Sequence, residues 1–341
     1  MAYGGLDWLA QTVEAPLEPD LPIIDPHHHF WDRRTPRIPY AQYELHEILA
    51  DIAEGHRVVG TVFIEARSMY RPDLPVALRG VGEVEYVNGI AAASASGLYG
   101  PSRVAAGIVG RADLGLGAEV ERVLEALQAA SPERFRGIRH STARDPYPEI
   151  DNPLEPHLLG QMGSPAFREG ARALARMGLS YDAWLFHHQL PEVVEFARAV
   201  PELPIVLNHI GGLLRVGPYA SRLDEVLATW RQGIADLATC PNVVVKLGGL
   251  GMPRYGFGFE LREVPVGSEE LAKTMEPWLA YVIEQFGPER CMFESNFPVD
   301  KVSFGYGVMW NAFKRFSAGY TPAERAAMFH DTAARFYRLD V

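Results

Sequence analysis

Short runs rich in valine, isoleucine, leucine and phenylalanine recur along this chain, and helix-forming stretches separate them. The runs fall at 21–25, 58–65, 104–109, 135–139, 179–186, 205–209, 243–247 and 291–295. Helical patterns occupy 43–54, 84–96, 117–130, 166–177, 191–200, 221–239 and 269–286, and a last one covers 322–337. Eight strands alternating with eight helices predict an α/β fold, a (β/α)8 barrel. The strand bodies are mostly apolar throughout, as parallel strands buried on both faces must be. An open doubly wound sheet is the rival, but no glycine-rich phosphate loop follows the first run. The 341 residues, 48% of them hydrophobic, suffice for one large barrel core. The reading is a single barrel domain over 21–341 behind an N-terminal extension, 1–20. Proline- or glycine-rich insertions at 67–78, 144–165, 211–219, 250–267 and 297–309 all follow strands, so they gather as long loops over the C-terminal face.

Composition narrows the partners. A net charge of -11 argues against nucleic acid and against an anionic membrane surface. No run approaches membrane-spanning length, and the acidic first 20 residues hold no apolar segment of the signal-peptide kind. Cys240 and Cys291 form no metal or redox motif, so a cytoplasmic protein with reduced thiols is expected. A small molecule is the expected partner, and nothing in the sequence reports oligomeric state.

Chemistry-bearing side chains collect at the strand ends. In the segment Ile23–Asp32 three histidines follow an apolar run, and strand alternation points His27 and His29 one way and His28 the other. Two imidazoles on one face can grip one metal ion or polarise one substrate oxygen. Glu65 and Arg67 follow the second run, and Arg139 and His140 end the fourth. His187 and His188 follow the fifth, Asn208 and His209 the sixth. Lys246 lies in the seventh, and Glu294, Ser295 and Asn296 end the eighth. In a barrel these positions converge on one mouth.

The pieces IIDPHHHFWD (23–32), FRGIRH (135–140), HQLPEV (188–193), VLNHIGG (206–212), VVVKLGGLG (243–251), MFESNFPVDK (292–301) and ARFYRL (334–339) together resemble the amidohydrolase superfamily. Within it they are most similar to the amidohydrolase-2 branch of barrel hydrolases, in its sugar-lactonase and 2-pyrone-4,6-dicarboxylate-lactonase group. The resemblance implies a barrel that hydrolyses a C–O or C–N bond. It implies His27 and His29 as metal or oxyanion ligands, His187 and His209 as the later histidines, and Arg139 and Lys246 as anchors for substrate oxygens. Glu65, His140 and Asp300 join the substrate-binding set, and Asn296 the catalytic one. The family's last strand usually ends in Gly-Ser-Asp, whose Asp activates water. Here the stretch is Glu294-Ser295-Asn296, and an amide takes no proton near neutral pH. Glu294 shares the parity of Asn296 and is the foremost replacement base, ahead of Asp300 and Glu65 or of no base at all. The structural alternative makes Glu294 a buried partner of Arg139, Lys246 or His209.

If a metal is bound, the resemblance assigns His27, His29 and His187 to one divalent ion, zinc or manganese. Loss of the aspartate charge favours a weak or metal-free site, with the histidines acting on the carbonyl directly. The expected activity is opening of a lactone of a sugar acid or dicarboxylate by an activated water. A metal-dependent non-oxidative decarboxylase and a non-catalytic ligand-binding barrel are the alternatives. Tyr255, Phe257 and Phe259 either line the pocket or pack their insertion onto the barrel, and Trp31, Trp184 and Trp310 are expected in the core.

Overall fold

A computed structural model describes residues 5–33, 39–150 and 160–341; part of the 144–165 insertion therefore lies outside the described residues. The strands are β1 (Ile23–His28), β2 (Val58–Ile64), β3 (Arg103–Gly110), β4 (Phe135–Arg139), β5 (Ser180–Ala183), β6 (Ile205–Leu207), β7 (Val243–Leu247) and β8 (Cys291–Phe293). They form one parallel sheet in sequence order. The ring is joined where the chain leaving β8 meets β1: Asn296 N–H donates to His27 O at 2.8 Å, and His29 N–H to Phe297 O at 2.8 Å. All eight expected strands are present in a barrel.

Helices α1 (Leu45–Ile52), α2 (Val81–Ala95), α3 (Val120–Ala130), α4 (Pro165–Arg176), α5 (Leu190–Ala199), α6 (Leu223–Ala238) and α7 (Ser268–Phe286) cross between successive strands. Their starts follow ordinary capping chemistry. Before α4, the Ser164 hydroxyl accepts from Phe167 N–H at 3.2 Å, and Pro165 opens the helix. Beyond β8 comes α8 (Tyr306–Phe316), whose first four residues the sequence reading gave to a loop and whose other seven it left unassigned. Residues 306–314 are all buried, and Gly305 and Gly307 at the start of this helix read as loop in the sequence. The expected last helix is three pieces: α9 (Pro322–Ala326), a π-helical turn (Ala327–Asp331) and α10 (Thr332–Tyr337). Among the described residues no helix is long and apolar enough to cross a membrane.

The core has two layers. The larger lies between strands and helices. The inner one fills the barrel with Ile24, Val62, Ile64, Val109, Val206 and Met292, and α10 closes it with Ala333 and Tyr337. Residues 5–20 pack as a strap: Trp8 donates to Arg262 O at 3.1 Å, Glu14 accepts from Ser268 N–H at 2.7 Å, and Lys314 donates to Leu17 O and Glu18 O at 2.8 Å.

Candidate active site

The strand ends carry five ionisable side chains into one buried group. His27 comes from β1, Asp182 from β5 and Lys246 from β7; His209 follows β6 and Glu294 follows β8. Glu294 bridges the two histidines. Its Oε1 lies 2.6 Å from His209 Nδ1 and also accepts the His209 backbone N–H at 3.1 Å, while Oε2 lies 2.8 Å from His27 Nδ1. Lys246 Nζ lies 3.2 Å from His27 Nδ1 and donates to Asp182 Oδ2 at 2.7 Å. Tyr337 OH donates to the same carboxylate at 2.9 Å from Oδ2. The His27 and His209 rings stand 4.4 Å apart between centroids.

Local backbone chemistry places these groups. β1 breaks register between Asp25 and His28, and the extra step lets His27 face the same interior as Ile24. His27 and His29 then project together, ring centroids 4.9 Å apart. His28 turns outward, with Nε2 2.8 Å from Thr61 Oγ1 and its ring against Phe30. Past β6, His209 and Ile210 adopt left-handed φ values of 54° and 49°, a strained turn that swings the His209 ring inward. The Gly248-Gly249 pair makes the space: a Cβ at Gly248 would run into Glu294, and one at Gly249 into the His209 ring.

Burial sets the protonation. His27 and His209 are held well below the usual histidine range, first by burial and then by the Lys246 charge, so both rings are neutral. Burial pushes the Glu294 carboxyl up to about 8, against the opposing pull of Lys246 and of the His209 N–H. This carboxyl therefore exchanges its proton close to neutral pH.

Around this group stand the remaining expected residues. His29 Nδ1 lies 2.8 Å from Ile64 O; a carbonyl only accepts, so Nδ1 carries the proton, and Nε2 is the atom 3.3 Å from Asn296 Oδ1. Asn296 donates Nδ2–H to Asp300 Oδ1 at 2.7 Å, and Asp300 Oδ2 accepts from Gly251 N–H at 2.8 Å. Asp300 is thus a buried brace for Asn296, its carboxyl held well above the usual range by burial. Arg139 donates Nε–H to Glu65 Oε1 at 2.8 Å and brings Nη1 within 3.5 Å of His27 Nε2. Lys246 is fully buried, with its ammonium on Asp182 and His27. His140 faces away, Nδ1 accepting from Leu114 N–H at 3.1 Å and the ring packed on Phe167. His187 stands apart as well: β5 stops at Ala183, and His187 falls in a single 3-10 turn against Tyr219 and His188, ring centroids 5.3 Å away in each case.

Several neighbours escaped the sequence reading. Asp182 and Tyr337 hold Lys246, and an acid inside an apolar strand was the signal for the first of them. Asp25, which burial pushes up to about 6, fastens the β1–β8 seam by accepting from Ser295 N–H and Tyr306 OH, both at 3.0 Å. Trp184, expected in the core, is only partly buried and stands edge-on to the His209 ring at 5.0 Å. Tyr255 is buried and donates its hydroxyl to His209 O, and Phe259 packs on Phe304, so these two fasten their insertion to the barrel.

His27, His209 and Glu294 each offer a donor atom within 4.8 Å of the others. Two neutral imidazoles and one carboxylate, all buried, fit a single divalent ion held by three protein ligands. Among the described residues this is the one such group, and neither His29 nor His187 belongs to it.

The profile of a family described as Amidohydrolase matches residues 24–339. An uncharacterised protein of Sinorhizobium fredii, y4mH, is 33% identical over 94% of this chain and 99% of its own length. A Burkholderia multivorans protein named L-fucono-1,5-lactonase is 27% identical over 93% of this chain and 96% of its own length. The crystal structure of an amidohydrolase from Burkholderia multivorans with bound zinc superposes with a TM-score of 0.70 at 26% identity, covering 93% of this chain and 99% of the other.

Proposed function

The chain belongs to the amidohydrolase family and is a hydrolase, and from that premise we propose that it opens a lactone, the cyclic ester of a sugar acid or a dicarboxylate, by attack of an activated water. The observation that carries this reading is the Glu294 carboxylate set between the neutral imidazoles of His27 and His209. Likeness along nearly the whole chain to a protein named as a lactonase supports the substrate class.

Glu294 takes the proton as water adds to the lactone carbonyl carbon. Its raised pKa makes it a base matched to neutral pH, where a carboxylate at its ordinary value is too weak. His209, at 2.6 Å, orients the carboxylate, and the protonated Glu294 returns the proton to the leaving alkoxide. The oxyanion of the tetrahedral intermediate is met by Arg139, whose guanidinium Glu65 holds in place. Collapse breaks the ring C–O bond and yields the hydroxy acid. The carboxylate that the family usually carries at the second residue past Glu294 is thus supplied by Glu294 itself.

The same two histidines and Glu294 would hold a divalent ion, with zinc preferred over manganese for a donor set richer in nitrogen than oxygen. Bound there, zinc supplies Lewis acidity toward the carbonyl oxygen and acidifies water.

The test is proton release from a panel of sugar-acid and dicarboxylate lactones at neutral pH. Turnover that disappears in His27→Ala/His29→Ala, with the circular dichroism spectrum kept, is the expected result. Absence of turnover across the panel, or a fully active double variant, contradicts the reading.

A further inference from the structure

Lys246 is one of only four lysines in the chain, with Lys273, Lys301 and Lys314. It sits inside the barrel beneath the reacting group, where a buried ammonium requires a dedicated counter-charge. We propose that Asp182 and Tyr337 are positioning residues that hold the Lys246 ammonium against His27, so that the C-terminal helix sets the geometry of the active site from the barrel floor.

The contacts run in an unbroken line. Tyr337 OH donates to the Asp182 carboxylate, at 3.1 Å from Oδ1 and 2.9 Å from Oδ2. Asp182 Oδ2 accepts from Lys246 Nζ at 2.7 Å, and Lys246 Nζ lies 3.2 Å from His27 Nδ1. His27 Nδ1 in turn lies 2.8 Å from Glu294. Asp182, Lys246 and Tyr337 are fully buried, so water does not screen or replace the contacts among them. The Tyr337 ring packs among Ile24, Val62, Ile64, Val109, Val206 and Met292 and lies 5.3 Å below Lys246 Nζ. It closes the barrel floor and offers its face to the ammonium. α10 is itself fixed, since Thr332 donates its hydroxyl to Glu289 O at 3.0 Å. A long, flexible lysine held at three points cannot drift away from His27. Loosening any point lets the ammonium leave His27 and tilt the imidazole away from Glu294.

Two readouts test this. The kinetic one rests on the lactonase reading; the spectroscopic one does not. Tyr337→Phe keeps the ring and removes one hydrogen bond to a charged group, so kcat falls about tenfold with KM nearly unchanged. Asp182→Asn lowers kcat by about a hundredfold, on the scale of losing one preorganised charge contact at the transition state. A structural role alone would lower the folded fraction and leave the kcat of the folded protein intact. In protein labelled with 15N-lysine, the buried Lys246 ammonium gives a side-chain resonance protected from solvent exchange, assigned by its loss in Lys246→Met. The proposal expects that resonance to broaden away in Asp182→Asn and to shift in Tyr337→Phe, while those of the buried Lys301 and Lys314 stay. Should Asp182→Asn fail to fold, Tyr337→Phe decides. An unchanged Lys246 resonance in Tyr337→Phe overturns the proposal, as does an unchanged kcat in an active enzyme. Absence of lactone turnover in the wild type, with the Lys246 resonance still dependent on Tyr337, counts against the lactonase reading alone.

Discussion

Replacing Glu294 by glutamine separates what this side chain does for chemistry from what it does to stability. The carboxyl is wholly buried and its pKa rises from 4.5 to about 8, chiefly through burial. A group raised in the folded state holds its proton more tightly there than in the unfolded chain. Stability is therefore greatest below pH 4.5, where both states are protonated, and declines as pH rises toward 8. At about 1.36 kcal/mol per pH unit, the interval amounts to a loss of about 5 kcal/mol between acid and mildly alkaline conditions, as an upper bound. Glutamine has no such titration. Its amide offers one acceptor and one donor, which His209 Nδ1–H and the accepting tautomer of His27 can meet. Glu294→Gln should thus resist urea better than the wild type at pH 8.5, and the difference should shrink toward pH 5. The same change removes the proton acceptor, and kcat should fall by about 10²- to 10⁴-fold, the usual contribution of a positioned base. Wild-type kcat/KM should rise with pH up to about 8 and then level, while the residual rate of the variant follows no such curve. Proton-release kinetics and urea midpoints across pH 5 to 9 give both answers. A variant that keeps kcat within a few fold refutes the role of Glu294, and equal pH dependence of stability in the two proteins refutes its raised pKa.

Further outcomes follow from other contacts. Arg139→Lys keeps the charge and loses the fork held by Glu65, so kcat for lactone opening should fall by about tenfold or more, as steady-state kinetics will show. Gly249→Ala forces a side chain into a left-handed position at φ 70° and onto the His209 ring; a stability loss of at least about 1–3 kcal/mol and a fall in kcat are expected from thermal melts and rates. Zinc added to chelator-stripped protein should bind at about one ion per chain by calorimetry, and His27→Ala should weaken it by more than about tenfold, the lower range for changes just outside a ligand shell.

The barrel was legible because apolar, β-branched runs of strand length recur eight times, and a parallel strand buried on both faces leaves no other pattern. α8 was hidden because Gly305 and Gly307 at its start read as loop, and the polar face of Asn311, Lys314 and Arg315 spans too few turns to stand out. At the site, strand alternation was enough to pair His27 with His29, and the departure at 294–296 drew attention to Glu294. His187 and His209 were not separable, because each follows an apolar run and only the early stop of β5 at Ala183 turns the first aside. The Asp182–Lys246 pair carried a readable signal: an acid and a base inside apolar strands must each find a partner. Tyr337 carried none, because its approach to Asp182 depends on how α10 folds back across the barrel floor, a contact 155 residues distant in sequence.

The central claim is that water, activated at Glu294, attacks a lactone carbonyl. Its most direct test is turnover of a hydrolysed lactone in 18O-labelled water, followed by mass spectrometry of the product. One labelled oxygen in the new carboxylate and none in the released hydroxyl is the predicted result. Label in the hydroxyl, or carbon dioxide release in place of a ring-opened acid, would contradict it.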